Sequence, residues 1–315
     1  MTAVRAPWFG VLAVLGMGWG LTQPLAKIAV SAGYPPFGII FWQSLIISLL
    51  LGSILVARGQ RLPYHPRALG VFIAIALSGT IIPNAFSYTA AFHLPSGIMS
   101  IAIATVPMFA FPIALALGAD RFSLSRLVGL VLGICGVGAI VLPQGSLGDG
   151  VLSVWVFVAL VAPLCYAIEG NYVAKWGTAG LDPVQTLFGA SIAGILLSGV
   201  GSISTGQFFV PTAPFQTADL AIVLSSLVHG AVYTGYVWLV GRAGSVFAAQ
   251  VSYIVTLSGV VWAMLILGES YSGWVWGALL LMIAGISLVQ PRLNTKPELI
   301  DTPLPPANGL ENNDR

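Results

Sequence analysis

Residues 88–120, YTAAFHLPSGIMSIAIATVPMFAFPIALALGAD, return later in the chain as residues 236–269, YVWLVGRAGSVFAAQVSYIVTLSGVVWAMLILGE. The order is the same in both: a tyrosine, a short break of small residues, a serine opening an apolar run, then Leu-Gly and an acid. Tyr88 and Tyr236, Ser96 and Ser245, and Asp120 and Glu269 are separated by 148, 149 and 149 residues. An internal repeat of this length says that one unit occurs twice. The number of hydrophobic spans per unit then decides how the two copies are related.

Hydrophobic residues make up 57% of the chain and charged residues 7%, with a mean hydropathy of +0.94. An ordinary soluble domain carries roughly 25% charged residues, so the composition is that of an all-α integral membrane protein. The 37 glycines and 20 prolines suit membrane helices. A net charge of +2 without a basic run argues against a nucleic-acid partner. Cys135 and Cys165 lie in apolar runs and suggest neither a disulfide framework nor a metal site. The first apolar segment lacks a clean cleavage context and reads as a retained span.

A bilayer core of about 30 Å needs about 20 apolar residues per helix. Ten runs meet that expectation: 8–28, 36–57, 68–88, 96–117, 124–142, 152–174, 184–204, 218–240, 246–267 and 273–290. They are continuously apolar, which disfavours a barrel. With a cytoplasmic N-terminus, eleven of the 12 basic residues fall on the inside and only Lys27 falls toward the outside. Both termini are thus expected in the cytoplasm. Each copy holds five spans, an odd number, so the second copy starts from the opposite face and the repeats are inverted. The expected organisation is a first unit over 1–145, a second over 146–290 and a polar, disordered cytoplasmic tail over 291–315. Inverted repeats characterise many secondary transporters, whose substrate sites lie near the midplane between the repeats.

Ionisable groups inside spans are costly and are functional candidates by default. Glu169 stands six residues before Lys175, roughly 9 Å inside the boundary at 1.5 Å per residue. A carboxylate there is costly to keep charged, which suits it to taking up and releasing a proton as a site opens alternately to each side. The alternative is a structural carboxylate bonded to Asn171, Tyr172 or a neighbouring helix. Lys27 aligns with Lys175 and reads either as a snorkelling anchor or as a cavity group attracting an anion.

Further polar groups fall where they can face a shared cavity: Gln23, Gln43, Asn84, Ser100, Asn171, His229, Tyr233 and Gln250. Trp19, Tyr88, Tyr172, Tyr236 and Tyr253 would form aromatic walls. Together they suggest an amphiphilic pocket, although any one of them can instead bond another helix. Pro24, Pro83, Pro107, Pro112 and Pro163 interrupt spans and can kink them. Pro107 is the candidate hinge. Gly16 with Gly20, Gly129 with Gly133 and Gly273 with Gly277 provide close-approach faces.

Over residues 8 to 290 the pattern resembles the drug/metabolite transporter superfamily, in its ten-helix group built from two EamA-type units. The carriers of the resemblance are Gly18-Trp19-Gly20 with Lys27, then Tyr88-x-x-Ala91 leading to Ser96 and Pro107. Leu117-Gly118-Ala119-Asp120 follows, with Gly129, Gly133 and Gly136. Leu267-Gly268-Glu269, Gly277 and Gly285 carry it in the second unit. Asp120 stands where that family usually has glutamate, and Thr256 stands where a counterpart of Pro107 is expected, leaving open whether the ninth span bends like the fourth.

The resemblance implies an inner-membrane carrier that moves small metabolites, often amino acids or related compounds, outward by alternating access. It implies a cavity lined by spans 1 to 4 and 6 to 9, with spans 5 and 10 at the edge supporting a monomer or a homodimer. The Asp120 and Glu269 turns read as structural. The expected partners are a small-molecule substrate, the lipid bilayer and protons as a candidate coupling ion, with no cofactor, metal or nucleic acid. Multidrug export and metabolite uptake are alternatives. An intramembrane enzyme is disfavoured because neither G-x-S-x-G nor H-E-x-x-H occurs; a passive channel is disfavoured because it wants pore-lining rings, and a membrane receptor because it usually carries a folded soluble domain.

Overall fold

The computed structural model describes residues 6–119, 121–141, 151–243 and 251–289, and every described element is helical. In chain order these are α1 (Ala6–Ser31), α2 (Pro36–Ala57), α3 (Pro66–Ile75), a π-helical turn (Ala76–Ile81), α4 (Ile82–His93), α5 (Ser96–Ile103) and α6 (Val106–Ala116). Then follow α7 (Leu124–Val141), α8 (Val151–Ala159), α9 (Val161–Trp176), α10 (Pro183–Ser204), α11 (Thr217–Ala243), α12 (Val251–Leu267) and α13 (Gly273–Val289). Among the described residues, 7 helical segments are long and apolar enough to cross a membrane. Three shorter apolar segments, Leu124–Ala139, Val251–Leu267 and Gly273–Gly285, correspond to the expected runs five, nine and ten. The expected tail, Asp120, Ser245 and Gln250 lie outside the described residues.

Local chemistry fixes where the helices begin. Pro36, Pro66 and Pro183 open α2, α3 and α10 at positions whose N–H would be unsatisfied in any case. Asp182 and Gln185 form a reciprocal capping box on α10, an arrangement whose cap contributes about 1 kcal/mol. Large apolar side chains such as Leu49, Val200, Leu265 and Leu280 cover the outer faces and are exposed. A water-soluble surface rarely carries so much contiguous apolar area.

Prolines set the irregularities, four residues early. A proline has no N–H to give the carbonyl four residues before it. Pro163 follows the end of α8 at Ala159 by four residues, Pro107 follows the end of α5 at Ile103 by four, and Pro83 lies four after Gly79 in the π turn. The third apolar segment therefore widens into a π turn, and the fourth and sixth are each broken. Pro24 and Pro112, by contrast, lie inside the continuous helices α1 and α6. Helix α12, with Thr256 in Pro107's place, runs unbroken from Val251 to Leu267, so it does not share the break of the fourth segment.

The packing order is systematic. Helix α1 lies against α11 and α12, while α9 lies against α4 and α6. Helix α2 packs on α10 and α11, α10 packs on α3, α5 on α12, and α7 on α13. The approach of α1 to α12 depends on Gly20, where an added Cβ would meet Ser258 and the backbone of Gly259.

One end of the bundle is tied by aromatic and acidic contacts. The segment after α10 folds onto the start of α2: Phe209 stacks on Tyr34 with ring centroids 4.3 Å apart, and its carbonyl accepts from Trp42 Nε1 at 2.9 Å. Tyr34 Oη donates to Asp219 Oδ1 at 2.6 Å, and Asp219 Oδ2 accepts from Gln216 N at 2.8 Å. The hydrogen bond to the Asp219 carboxylate pushes the Tyr34 phenol up to about 12.

Candidate functional site: a polar cavity between the two halves

A cavity lies where α1, α2, α4 and α5 meet α9 and α11. Its lining includes Trp19, Gln23, Gln43, Asn84 and Tyr88 from the first half and Tyr166, Ser225 and His229 from the second. It offers about 40 Å³ to the centres of water-sized molecules, against the roughly 10–15 Å³ that one water needs. In this form it has room for a few waters and too little for a metabolite.

Gln43 organises one wall. Its Oε1 accepts from Asn84 Nδ2 at 3.2 Å and from Tyr88 Oη at 2.6 Å, and Asn84 Oδ1 accepts in turn from Tyr166 Oη at 3.5 Å. Gln43 and Asn84 are buried, and buried polar groups are retained at low cost only when bonded in this way. The opposite wall is aromatic. Trp19 meets His229, Tyr233 and Tyr236 edge-on at centroid distances of 5.9, 5.8 and 5.7 Å, and His229 stacks on Tyr233.

Glu169 lies beside this cavity and is not among its lining residues. It is buried, and its Oε1 accepts from Tyr233 Oη at 3.0 Å. The carboxylate sits over Gly79 in the π turn, where an added Cβ would come within 2.6 Å of Oε2 and 2.8 Å of Oε1. Three helical segments thus converge on one acid. Glu169 bonds to neither Asn171 nor Tyr172. Asn171 Nδ2 instead donates to Ala167 O at 2.9 Å and to Ala110 O at 3.1 Å, tying α9 to α6, and Tyr172 packs against Trp176.

Lys27 does not line the cavity and is engaged at its edge. Its Nζ donates to Ala91 O at 2.6 Å and Leu94 O at 3.0 Å, so it satisfies carbonyls at the end of α4. Its repeat counterpart Lys175 donates to Leu117 O at 3.2 Å, at the end of α6. Aligned lysines therefore serve helices that the repeat does not equate. Glu269 caps α5, accepting from Ser96 N at 2.8 Å and Gly97 N at 3.2 Å, while Tyr271 Oη donates to the same carboxylate. Burial and Glu269 push the Tyr271 phenol up. The α4–α5 turn is thus held by one charged group on each side.

Ser100 is buried against Gly259 and bonds Ser96 O at 3.2 Å, which makes it part of the α5–α12 contact. Tyr253 packs against the main hydrophobic core, and neither it nor Ser100 lines the cavity. Pro107 stands in the first turn of α6, just beyond the break. The sequence reading did not single out Tyr166, Ser225 or Gly79. Two signals were available: Tyr166 lies three residues before Glu169, on the same helical face, and Gly79 lies four before Pro83.

The chain is 25% identical over 295 residues to the uncharacterized inner membrane transporter YedA of Escherichia coli K12, covering 90% of each chain. It is 26% identical over 293 residues to the uncharacterized transporter YvbV of Bacillus subtilis 168, covering 91% of each. A crystal structure at 19% identity superposes with a TM-score of 0.60, covering 89% of this chain and 96% of that one, which speaks to the fold alone. The model of the EamA-like transporter family matches residues 7–142 and again 153–290. With two matches that between them span most of its length, the chain belongs to the EamA-like transporter family.

Proposed function

We propose that the protein is an inner-membrane secondary transporter that moves small metabolites outward by alternating access through the cavity between its two halves. The observation that carries this reading is the cavity itself. Both halves line it, polar side chains stand on its walls, and it is too small for a metabolite in this form. A site of this kind admits solute only when one half moves relative to the other.

The architecture we propose is ten spans in two inverted units with both termini cytoplasmic. Packing supports it, because exchanging the units carries the main helix pairings into one another. Helix α1 on α11 and α12 becomes α9 on α4 and α6, α2 on α11 becomes α10 on α3, and the pairs α2–α10, α5–α12 and α7–α13 map onto themselves. The basic residues support the orientation. Glu169 is the proposed proton-coupling group, held by Tyr233 and facing the widened turn at Gly79. Purified protein in proteoliposomes loaded with a metabolite mixture is expected to show saturable counterflow. Flux that stays linear with concentration and lacks counterflow would contradict a carrier.

A further inference from the structure

The walls of the central cavity carry information about the charge of its occupant. Among the described residues, no carboxylate, lysine or arginine lines it. Residues 244–250, GSVFAAQ, add no ionisable side chain from sequence. The nearby charged groups do not line it and are already hydrogen-bonded: Lys27 to the carbonyls of Ala91 and Leu94, and Glu169 to the hydroxyl of Tyr233. A charged solute entering such a site loses its hydration and finds no counter-charge.

Hydrogen-bonding capacity, by contrast, is left over. Both bonds to Gln43 fall on Oε1, so its Nε2 has two donors and no partner among the described residues. The Gln23 amide, on α1 with Trp19, has no hydrogen-bond partner among the described residues either. Across from Gln43 stand the flat rings of Trp19 and His229. With Oε1 filled, Gln43 offers only its Nε2 donors, to an acceptor on the edge of a heteroaromatic ring, while the Gln23 carboxamide can meet an adjacent donor and acceptor side by side, and aromatic walls stack on the ring's faces.

We infer that the transported solute is an uncharged planar molecule with adjacent donors and acceptors on its edge, the chemical class of a nucleobase, and that Gln43 selects it. This rests on the carrier reading and narrows it away from zwitterionic amino acids. Glu169 then remains available to the proton, because the solute does not compete for it.

The test is counterflow in proteoliposomes of the full chain with five probes: uracil and adenine as uncharged rings, orotate as the uracil ring bearing a carboxylate, phenylethylamine as a cation and phenylalanine as a zwitterion. Uracil is expected to show saturable counterflow that adenine inhibits and the three charged probes do not. Gln43→Leu is expected to weaken uracil affinity about tenfold or more, as loss of a buried hydrogen-bonding group does. Gln43→Glu keeps the shape and the acceptor for Asn84 and Tyr88, and is expected to let phenylethylamine compete. Saturable counterflow of a charged probe with both uncharged rings inert would overturn the inference and leave the carrier standing. Linear flux of all five without counterflow would overturn the carrier reading and this inference with it.

Discussion

Tyr233 on α11 donates a hydrogen bond of 3.0 Å to Glu169 on α9, and the same carboxylate rests over Gly79 on the third apolar segment. The acid therefore senses the relative positions of three segments at once. If it carries the coupling proton, Glu169→Gln fixes it in a neutral form of the same shape. Transport driven by the solute gradient is expected to persist while its dependence on a pH gradient disappears. Flux measured at two opposed pH gradients checks this.

Gly79 gives a second handle on the same site. Gly79→Ala places a methyl group against both carboxylate oxygens, an overpacking that costs about 1–3 kcal/mol. A lower melting temperature in detergent is expected, together with a displaced pH profile of transport. Thermal unfolding of Gly79→Ala and of Gly70→Ala, which meets open space, separates the local crowding from the general effect of losing a glycine.

Lys27 is expected to act on stability and not on solute choice. Lys27→Met leaves the carbonyls of Ala91 and Leu94 without their donor. Hydrogen bonds to a charged group contribute about 1.5–3 kcal/mol each, so the variant should melt earlier while keeping the wild-type order of solute preference. Competition assays on the folded fraction check the second part.

Pro107→Ala restores the N–H that the carbonyl of Ile103 lacks, and so favours a continuous fourth segment. If the break is a pivot, turnover is expected to slow while solute affinity holds. Binding measured by melting shift and flux measured in vesicles separate the two.

Much of the fold was legible because apolar runs and turn residues are local signals. Among the described residues, seven of the expected runs coincide with helical segments long and apolar enough to span and three with shorter apolar helices, and the resemblance carried by Gly18-Trp19-Gly20 and Leu267-Gly268-Glu269 agrees with the family found. The breaks were less legible, since five prolines look alike in sequence. Only packing decides that Pro83, Pro107 and Pro163 accompany irregular helix while Pro24 and Pro112 do not. The same limit applied to side chains. Gln43, Asn84, Tyr88 and His229 come together on one cavity, whereas Ser100, Asn171 and Tyr172 turn to neighbouring helices. A continuously apolar helix has no amphipathic stripe to show which face looks inward.

Tyr34 yields a pH prediction at the end of the bundle. Its phenol, pushed up to about 12 by Asp219, ionises near 10 in an unfolded chain. The contribution is fully present below about pH 10 and is lost as pH rises toward about 12. Wild-type protein should therefore lose melting temperature more steeply than Tyr34→Phe between about pH 10 and 12.

The central claim is that one cavity opens alternately to the two faces of the membrane. The direct measurement places a cysteine at Ser225, on the cavity wall, in a Cys135→Ser, Cys165→Ala background. A membrane-impermeant maleimide is then applied from either side of oriented vesicles. Labelling from both faces is expected, with the two rates moving in opposite directions when a solute gradient is imposed. Labelling from one face only, whatever the gradient, would contradict the account.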